Sequence, residues 1–387
     1  METPSPALRK LTLAQRRQWL TDSVSFDAQE AESFRADTWG HELADLLVEN
    51  SVGWFRLPLG IVSGLVVNGV SHEVPLVTEE PSVIAAASYA ARLLGKAGGL
   101  QATAAPPVMR AQVFLEGTAP GAEARLLEHG ASLEAKARDL LGSMERRGGG
   151  LRGLSVKLLP EVGCLAVNID VDVRDALGAN LLNSLAESLT PALETAFGGH
   201  KILAILSNDA SERIASARFQ VPVGNLAKPG FPGPEMARRL VLAAEIAQHD
   251  PQRAVTHNKG IMNGIAALAL ATGNDTRALE ASVHSWASHT GTYRGLSTYC
   301  VEDGLLKGTL TLPLALATVG GSTQALPLAR VAVKLLEVTS SQGLCEIAVA
   351  LGLAQNFAAL FALAGEGLQR GHMALHARRV VSGLPLG

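Results

Sequence analysis

Between residues 108 and 208 the hydrophobic pattern runs through six elements, and their order narrows the fold more than any other feature of the chain. "RAQVFLEG" alternates with a period of two, and "GAEARLLEHGASLEAKARDLLGSMERR" carries a helical stripe. After a glycine turn "LSVKLL" and "CLAVNIDVDV" alternate again; "ALGANLLNSLAESLTPALETAF" is helical and "HKILAILSN" strand-like. Strand, helix, strand, strand, helix, strand is the order of a ferredoxin-like split βαβ unit. "TAAPPVM" before it reads as a boundary, and "SARFQVPV" after it returns the chain to the main body. From about residue 225 onward helices dominate. The expected class is α+β: a mainly helical large domain (1–107 and 223–370) with a small domain (108–222) inserted, and a tail at 371–387.

In the large part, Asn68-Gly69 between β-rich flanks signals a type I′ hairpin. "PSVIAAASYAARLLGKAGG" follows as a helix, with Pro81 at its first turn and Gly95 and Gly98-Gly99 at its end. Hydrophobic residues make up 47% of the chain and charged ones 18%, which excludes a disordered polymer. Aromatics are only 4%, so the core is built from Ala, Leu, Val and Ile with close helix contacts. A formal net charge of -3 argues against nucleic acid or an anionic membrane as partner. The three cysteines form no CxxC pair, which fits a reducing compartment without disulfides or structural zinc. No stretch has signal-peptide form, and no uninterrupted apolar run reaches the roughly 18 residues of a membrane helix. "CEIAVALGLAQNFAALFALAG", broken by Gly, Gln and Asn, is expected to be a buried helix, and the protein to be cytoplasmic.

Several motifs mislead. "GGGLRG" (148–153) matches a dinucleotide fingerprint literally, but a helix precedes it and a strand follows, the reverse of a Rossmann unit. His372 and His376 stand at i, i+4, which would put both on one face of a helix, without a third zinc ligand nearby in sequence. Others carry chemistry but are ambiguous singly. In "VDVRDALGAN" Asp175 is either a simple helix cap or part of an anion site, with Gly178 and Asn180 opening the helix. "THNKGIMNG" (256–264) is either a solvated loop with a cap or a glycine-flanked turn that aims Lys259 at a developing oxyanion. "TGND" ends an apolar helix with Asp275, by itself most simply a C-terminal turn. His372 in "RGHMALHARR" is a general acid or a surface histidine among arginines.

Taken together and in order, the segments "LPLGIVSGLVVNG", "TEEPSVIAAAS", "DVRDALGAN", "THNKGIMNG", "ATGNDTRALEASVHS", "EIAVALGLAQN" and "LQRGHMALHARR" closely resemble 3-hydroxy-3-methylglutaryl-CoA (HMG-CoA) reductase of the soluble bacterial class. The resemblance runs from about residue 9 to 379. It implies a catalytic set of Glu80, Lys259, Asp275 and His372, with Glu79 as a structural or cap neighbour. It implies that Ser82, Arg253, Asn263 and Gln355 meet the hydroxymethylglutaryl group, and that Arg9 meets the coenzyme A phosphates. Asp175, Gly178 and Asn180 would belong to a non-Rossmann dinucleotide site in the small domain. The implied reaction reduces HMG-CoA to mevalonate and coenzyme A with two NAD(P)H. The implied assembly is a homodimer, or a trimer of dimers, with active sites at the subunit interface.

Two departures matter. NADH-preferring relatives carry an acid after the glycine turn; here Gly153 stands there among Arg146, Arg147 and Arg152, which favours NADPH over NADH. Relatives continue past the histidine with a helical flap, whereas this sequence stops at Gly387, so residues 371–387 are expected to be the start of a shortened flap. The alternatives left open are an NAD-dependent catabolic enzyme running from mevalonate, and a non-catalytic binder of CoA esters.

Overall fold

The computed structural model of the chain describes residues 54–365 continuously, 41–50 before them, and positions 11, 12, 15, 18, 19, 22, 27 and 28. Arg9, His372 and the tail from 371 to 387 lie outside the described residues. After α1 (His41–Leu47), strands β1 (Leu59–Val67) and β2 (Val70–Val77) form the expected hairpin. Its turn residues Asn68 and Gly69 both have positive φ, 52° and 83°, as a type I′ turn requires. Then come α2 (Pro81–Gly95) and β3 (Leu100–Ala104).

The next six major elements follow the order read from the sequence. They are β4 (Val108–Glu116), α3 (Ala122–Leu140) with the short α4 (Gly142–Glu145), β5 (Gly150–Leu159), β6 (Cys164–Asp172), α5 (Ala179–Phe197) and β7 (His200–Leu206). They make a four-stranded sheet in the order β5-β6-β4-β7 with every pairing antiparallel. A separate apolar cluster joins this sheet to α3 and α5 through Val113, Val167, Leu182 and Leu189, all fully buried.

The larger part is not helical alone. Strands β8 (Ile214–Pro222), β9 (Ser297–Glu302) and β10 (Leu305–Pro313) join β1 to β3 in a six-stranded sheet, ordered β2-β1-β3-β8-β10-β9. β8, which a boundary at 222 groups with the small unit, is paired on both edges within this larger sheet. Against it lie α6 (Gly233–His249), α7 (Pro251–Ala271), α8 (Thr276–Ala287) and α11 (Ser341–Ala364); α9 (Gly321–Ala325) and α10 (Pro327–Leu335) complete the chain order.

α11 holds this part together. By length and composition it is apolar enough to cross a membrane, but 78% of that stretch is buried inside the protein. It packs on α2, α6, α7 and β8. Its closest approach is to α7, where a Cβ added at Gly352 would stand 2.6 Å from Ile265 Cδ1 and 3.2 Å from Ile261 Cγ2. The helices meet there because no side chain separates them, which answers the shortage of aromatics.

Candidate functional site

Glu80 stands where β2 turns into α2. It is itself the N-cap of that helix: Oε1 accepts from Ser82 N–H at 3.2 Å and from Ser82 Oγ at 2.8 Å. Thr78 Oγ1 in turn accepts from Glu80 N–H at 3.1 Å, and Pro81 fills the first helical position, where no N–H is needed. The cap is thus Glu80 and not Glu79, which is exposed. Ser82 therefore contacts the Glu80 carboxylate as well as lying on the same first turn. α2 packs against α7, and both pack on α11.

α7 begins at an N-cap, Asp250, whose side chain accepts from Gln252 N–H at 3.0 Å. "THNKGIMNG" lies in the middle of this 21-residue helix, so Lys259 leaves from regular helix and not from a glycine-flanked turn. Each interior glycine costs about 1 kcal/mol relative to alanine, but tertiary packing overrides propensity here. Gly264 shows how: a Cβ there would sit 3.2 Å from Leu351 Cγ and 3.5 Å from Gln355 Oε1. Lys259 is exposed, while Arg253 and Asn263 are half-buried. Burial pushes the Arg253 guanidinium down from its usual value. Gln355 faces α7 from α11, buried, and its Oε1 has no hydrogen-bond partner among the described residues. A buried amide oxygen without a donor is costly, so this atom is a natural acceptor for a ligand hydroxyl.

After α7 the chain makes a fixed turn. Gly273 has φ +70°, and a Cβ there would collide with Ser322 and Thr323 backbone at 2.8 Å. Asn274, buried, is bonded to both backbone groups of Ala317. Asp275 is then the N-cap of α8, accepting from Arg277 and Ala278 N–H at 3.0 and 3.1 Å, so "TGND" starts a helix as well as ending one. Partial burial pushes the Asp275 carboxyl up. Its bonds to the Arg277 side chain and the two backbone N–H groups outweigh that and hold it below the ordinary carboxylate value. Asn274, the residue that fixes this turn, was not singled out by sequence reasoning; its polar side chain at the end of an apolar run was the available signal.

The second group lies at the end of β6. Asp172, 1% exposed, pairs with Arg152 and accepts from Arg174 N–H at 2.9 Å. That holds Arg174 in the left-handed region at φ 55°. Asp175 does not cap α5; its Oδ1 accepts from Ser341 N–H at 2.9 Å, at the start of α11, 166 residues away. The Arg174 carbonyl accepts from Ser341 Oγ at 3.0 Å. The N-cap of α5 is Gly178, φ +73°, with no side-chain cap, and a Cβ there would stand 2.5 Å from Val173 Cγ1. No side chain among the described residues caps the first N–H groups of α5, which lie beside exposed Asn180 and Arg174 and half-exposed Arg152 and could accept an anion.

The described site residues are divided between two parts of the chain: Glu80, Ser82, Arg253, Lys259, Asn263, Gln355 and Asp275 lie on the larger part, and Arg152, Arg174, Gly178 and Asn180 on the four-stranded unit. The family model for hydroxymethylglutaryl-coenzyme A reductase matches residues 12–377. The chain belongs to the hydroxymethylglutaryl-coenzyme A reductase family. The 3-hydroxy-3-methylglutaryl-coenzyme A reductase of Archaeoglobus fulgidus is 38% identical over 98% of this chain and 87% of its own. The probable reductase of Borreliella burgdorferi is 40% identical over 87% of this chain and 77% of its own. Among solved structures, a class II HMG-CoA reductase from Streptococcus pneumoniae bound to NADPH superposes with a TM-score of 0.88 at 39% identity, covering 93% of this chain and 99% of that one. A second structure of the Streptococcus pneumoniae enzyme gives 0.89 at 39% identity, over 98% of this chain and 92% of that one. This is the class II type of HMG-CoA reductase, an NAD(P)H-dependent oxidoreductase, and the α+β fold with two sheets is that of the class.

Proposed function

We propose that this reductase works in the direction of mevalonate, reducing HMG-CoA in two steps with two NADPH, and that Glu80, Lys259, Asp275 and His372 carry the chemistry. The cofactor supplies a hydride in each step. In the first, charge develops on the thioester oxygen, and the Lys259 ammonium stabilises it. The hemithioacetal then breaks its C–S bond, and His372 protonates the departing thiolate of coenzyme A. In the second, the aldehyde oxygen becomes an alkoxide, and Glu80 gives it a proton. Arg253, Asn263, Ser82 and Gln355 hold the hydroxymethylglutaryl group, Arg253 through its carboxylate. Arg9 meets the coenzyme A phosphates.

The observation that carries this reading is the buried Gln355 Oε1, without a partner among the described residues, beside Gly264, the residue after Asn263 and five after Lys259 on α7. It is a polar group prepared for a ligand that the protein itself does not satisfy. The four-stranded unit, with Arg152, Asp175, Gly178 and Asn180, would hold the dinucleotide. The uncapped start of α5 suits a pyrophosphate, and Arg152 and Arg174, both tied to Asp172, suit a 2′-phosphate. Asp175 would act there indirectly, by tying the loop to α11.

An interface site is also supported. Twelve residues of α7 separate Lys259 from Ala271, about 18 Å at 1.5 Å per residue. Asp275 starts α8 beyond that end, directly after Asn274, which is bonded to Ala317. A lysine ammonium reaches only about 6 Å from its Cα, across five bonds. A site using both residues would therefore draw them from two copies of the chain, as in a homodimer or a trimer of dimers.

The test is HMG-CoA-dependent oxidation of NADPH and NADH in parallel, with Lys259→Ala as the control. Turnover preferring NADPH and abolished by Lys259→Ala is expected. A preference for NADH would overturn the reading of Arg152, and full activity in Lys259→Ala would overturn the catalytic assignment.

A further inference from the structure

Two consecutive polar residues in the middle of α7, His257 and Asn258, are 2% and 0% exposed and directly precede exposed Lys259. Asn258 grips the chain before β9 at two points: Nδ2 donates to the Arg294 carbonyl at 2.8 Å, and Oδ1 accepts from Leu296 N–H at 2.9 Å. His257 Nε2 lies 2.7 Å from Ser297 Oγ. Ser297 Oγ and Tyr299 OH both donate to Asn356 Oδ1 of α11, each at 2.8 Å. A serine hydroxyl has one hydrogen. That of Ser297 is on Asn356, so Ser297 Oγ accepts from His257, and the imidazole hydrogen sits on Nε2. Asn356 Nδ2, 3.2 Å from the same nitrogen, is then a neighbour and not a second donor. Nδ1 holds the lone pair, buried without a partner among the described residues.

Apolar contacts alone would hold α7 against α11, as Ile261 and Ile265 do at Gly352. Directional bonds do something more: they are satisfied at one rotation and one height of the helix only. Lys259 follows His257 by two residues, about 200° around the axis and 3 Å along it. Fixing His257 and Asn258 on one side of α7 fixes the direction in which Lys259 leaves on the other.

We propose that His257, through Ser297, Asn356 and Tyr299, is a positioning residue for Lys259, holding α7 at the rotation that aims the ammonium at the reacting carbonyl. This rests on Lys259 being catalytic. His257→Leu removes the donor; His257→Gln places an amide N–H where Nε2 stood. His257→Leu is expected to lower kcat by about tenfold to a hundredfold, the cost of a ~1 Å misplacement, with the KM for HMG-CoA nearly unchanged. His257→Gln is expected to recover most of that loss. The double variant with Lys259→Ala is expected to be no slower than Lys259→Ala alone. Should His257→Leu fail to fold, Ser297→Ala, which deletes a single oxygen, carries the same comparison. Wild-type kcat in His257→Leu or Ser297→Ala, with Lys259→Ala inactive, overturns the inference and leaves Lys259 catalytic. So does a loss that adds fully to that of Lys259→Ala, because general damage and not aiming would then be responsible. An active Lys259→Ala would instead remove the reading on which the inference stands.

Discussion

Replacing Asn274 by alanine tests how the turn before Asp275 is held. Asn274 is 7% exposed and Ala317, its partner, 3%. Its Oδ1 accepts from Ala317 N–H at 2.7 Å, and its Nδ2 donates to the Ala317 carbonyl at 3.1 Å and to Thr272 Oγ1 at 2.9 Å. Alanine leaves the N–H and C=O of Ala317 buried and unpaired. Each such group costs about 1–3 kcal/mol. Some water entry into the vacated space offsets part of this, so a destabilisation of about 3 kcal/mol is expected. Asn274→Asp separates the two bonds. It keeps the acceptor for Ala317 N–H but sets a carboxylate oxygen against the Ala317 carbonyl, in a site with little water. At pH 7 it should be as damaging as alanine, and it should recover as the pH falls and the neutral acid regains a donor. Urea unfolding read as the change in midpoint at constant slope measures both, and kcat reports whether Asp275 has moved. An Asn274→Ala protein within about 0.5 kcal/mol of wild type, the ordinary range for surface changes, would refute the reasoning. So would an Asn274→Asp protein equal to wild type at pH 7.

Glu80→Gln keeps an acceptor for the bonds from Ser82 but has no proton to give. Stability should change by less than the ~1 kcal/mol of a lost cap, while kcat falls about 10²–10⁴-fold; Glu79→Gln should leave both nearly unchanged. On the proposed reading Arg152→Ala would remove one charge-assisted contact to a 2′-phosphate, so the KM for NADPH should rise about tenfold more than that for NADH, equivalent to ~1.4 kcal/mol, as read from parallel saturation curves. Burial, with a smaller contribution from nearby Arg253, pulls His257 from its ordinary 6.5 down to about 4. Between those values the unfolded chain binds a proton that the folded chain does not. The stabilisation is thus complete above pH 6.5 and is lost as pH falls toward 4, by about 3 kcal/mol in all. Urea midpoints across that window should show the slope in wild type and a shallower one in His257→Gln.

What was legible in the sequence was what neighbouring residues decide among themselves. Asn68-Gly69 specifies its turn because two adjacent residues must adopt positive φ. The order of the four-stranded unit follows from period, and Pro81 marks the start of α2 by its own ring. The apolar run 345–365 reads as a buried helix because its own composition demands cover. The chain was misread wherever a distant partner decides. The glycines and polar residues of 256–264 look like a loop until α11 and the 294–299 segment supply contacts that keep them helical. Asp175 looks like the cap of the helix that follows it, but the N–H it satisfies belongs to Ser341. Asp275 looks like an ending because the helix it begins is set by bonds only the folded turn can make. These are also the places where the proposed site residues lie. A polar side chain kept in a helix interior, or an acid at a helix corner, opposes local preference, and such conflicts persist where function or a long-range network requires them. The misread segments are therefore informative in themselves. His257 and Asn258 break the local rule together, and the bonds of His257 Nε2 and of the Asn258 amide to the 294–297 segment hold them there. Lys259, which follows them, is exposed, as the proposed role toward substrate requires.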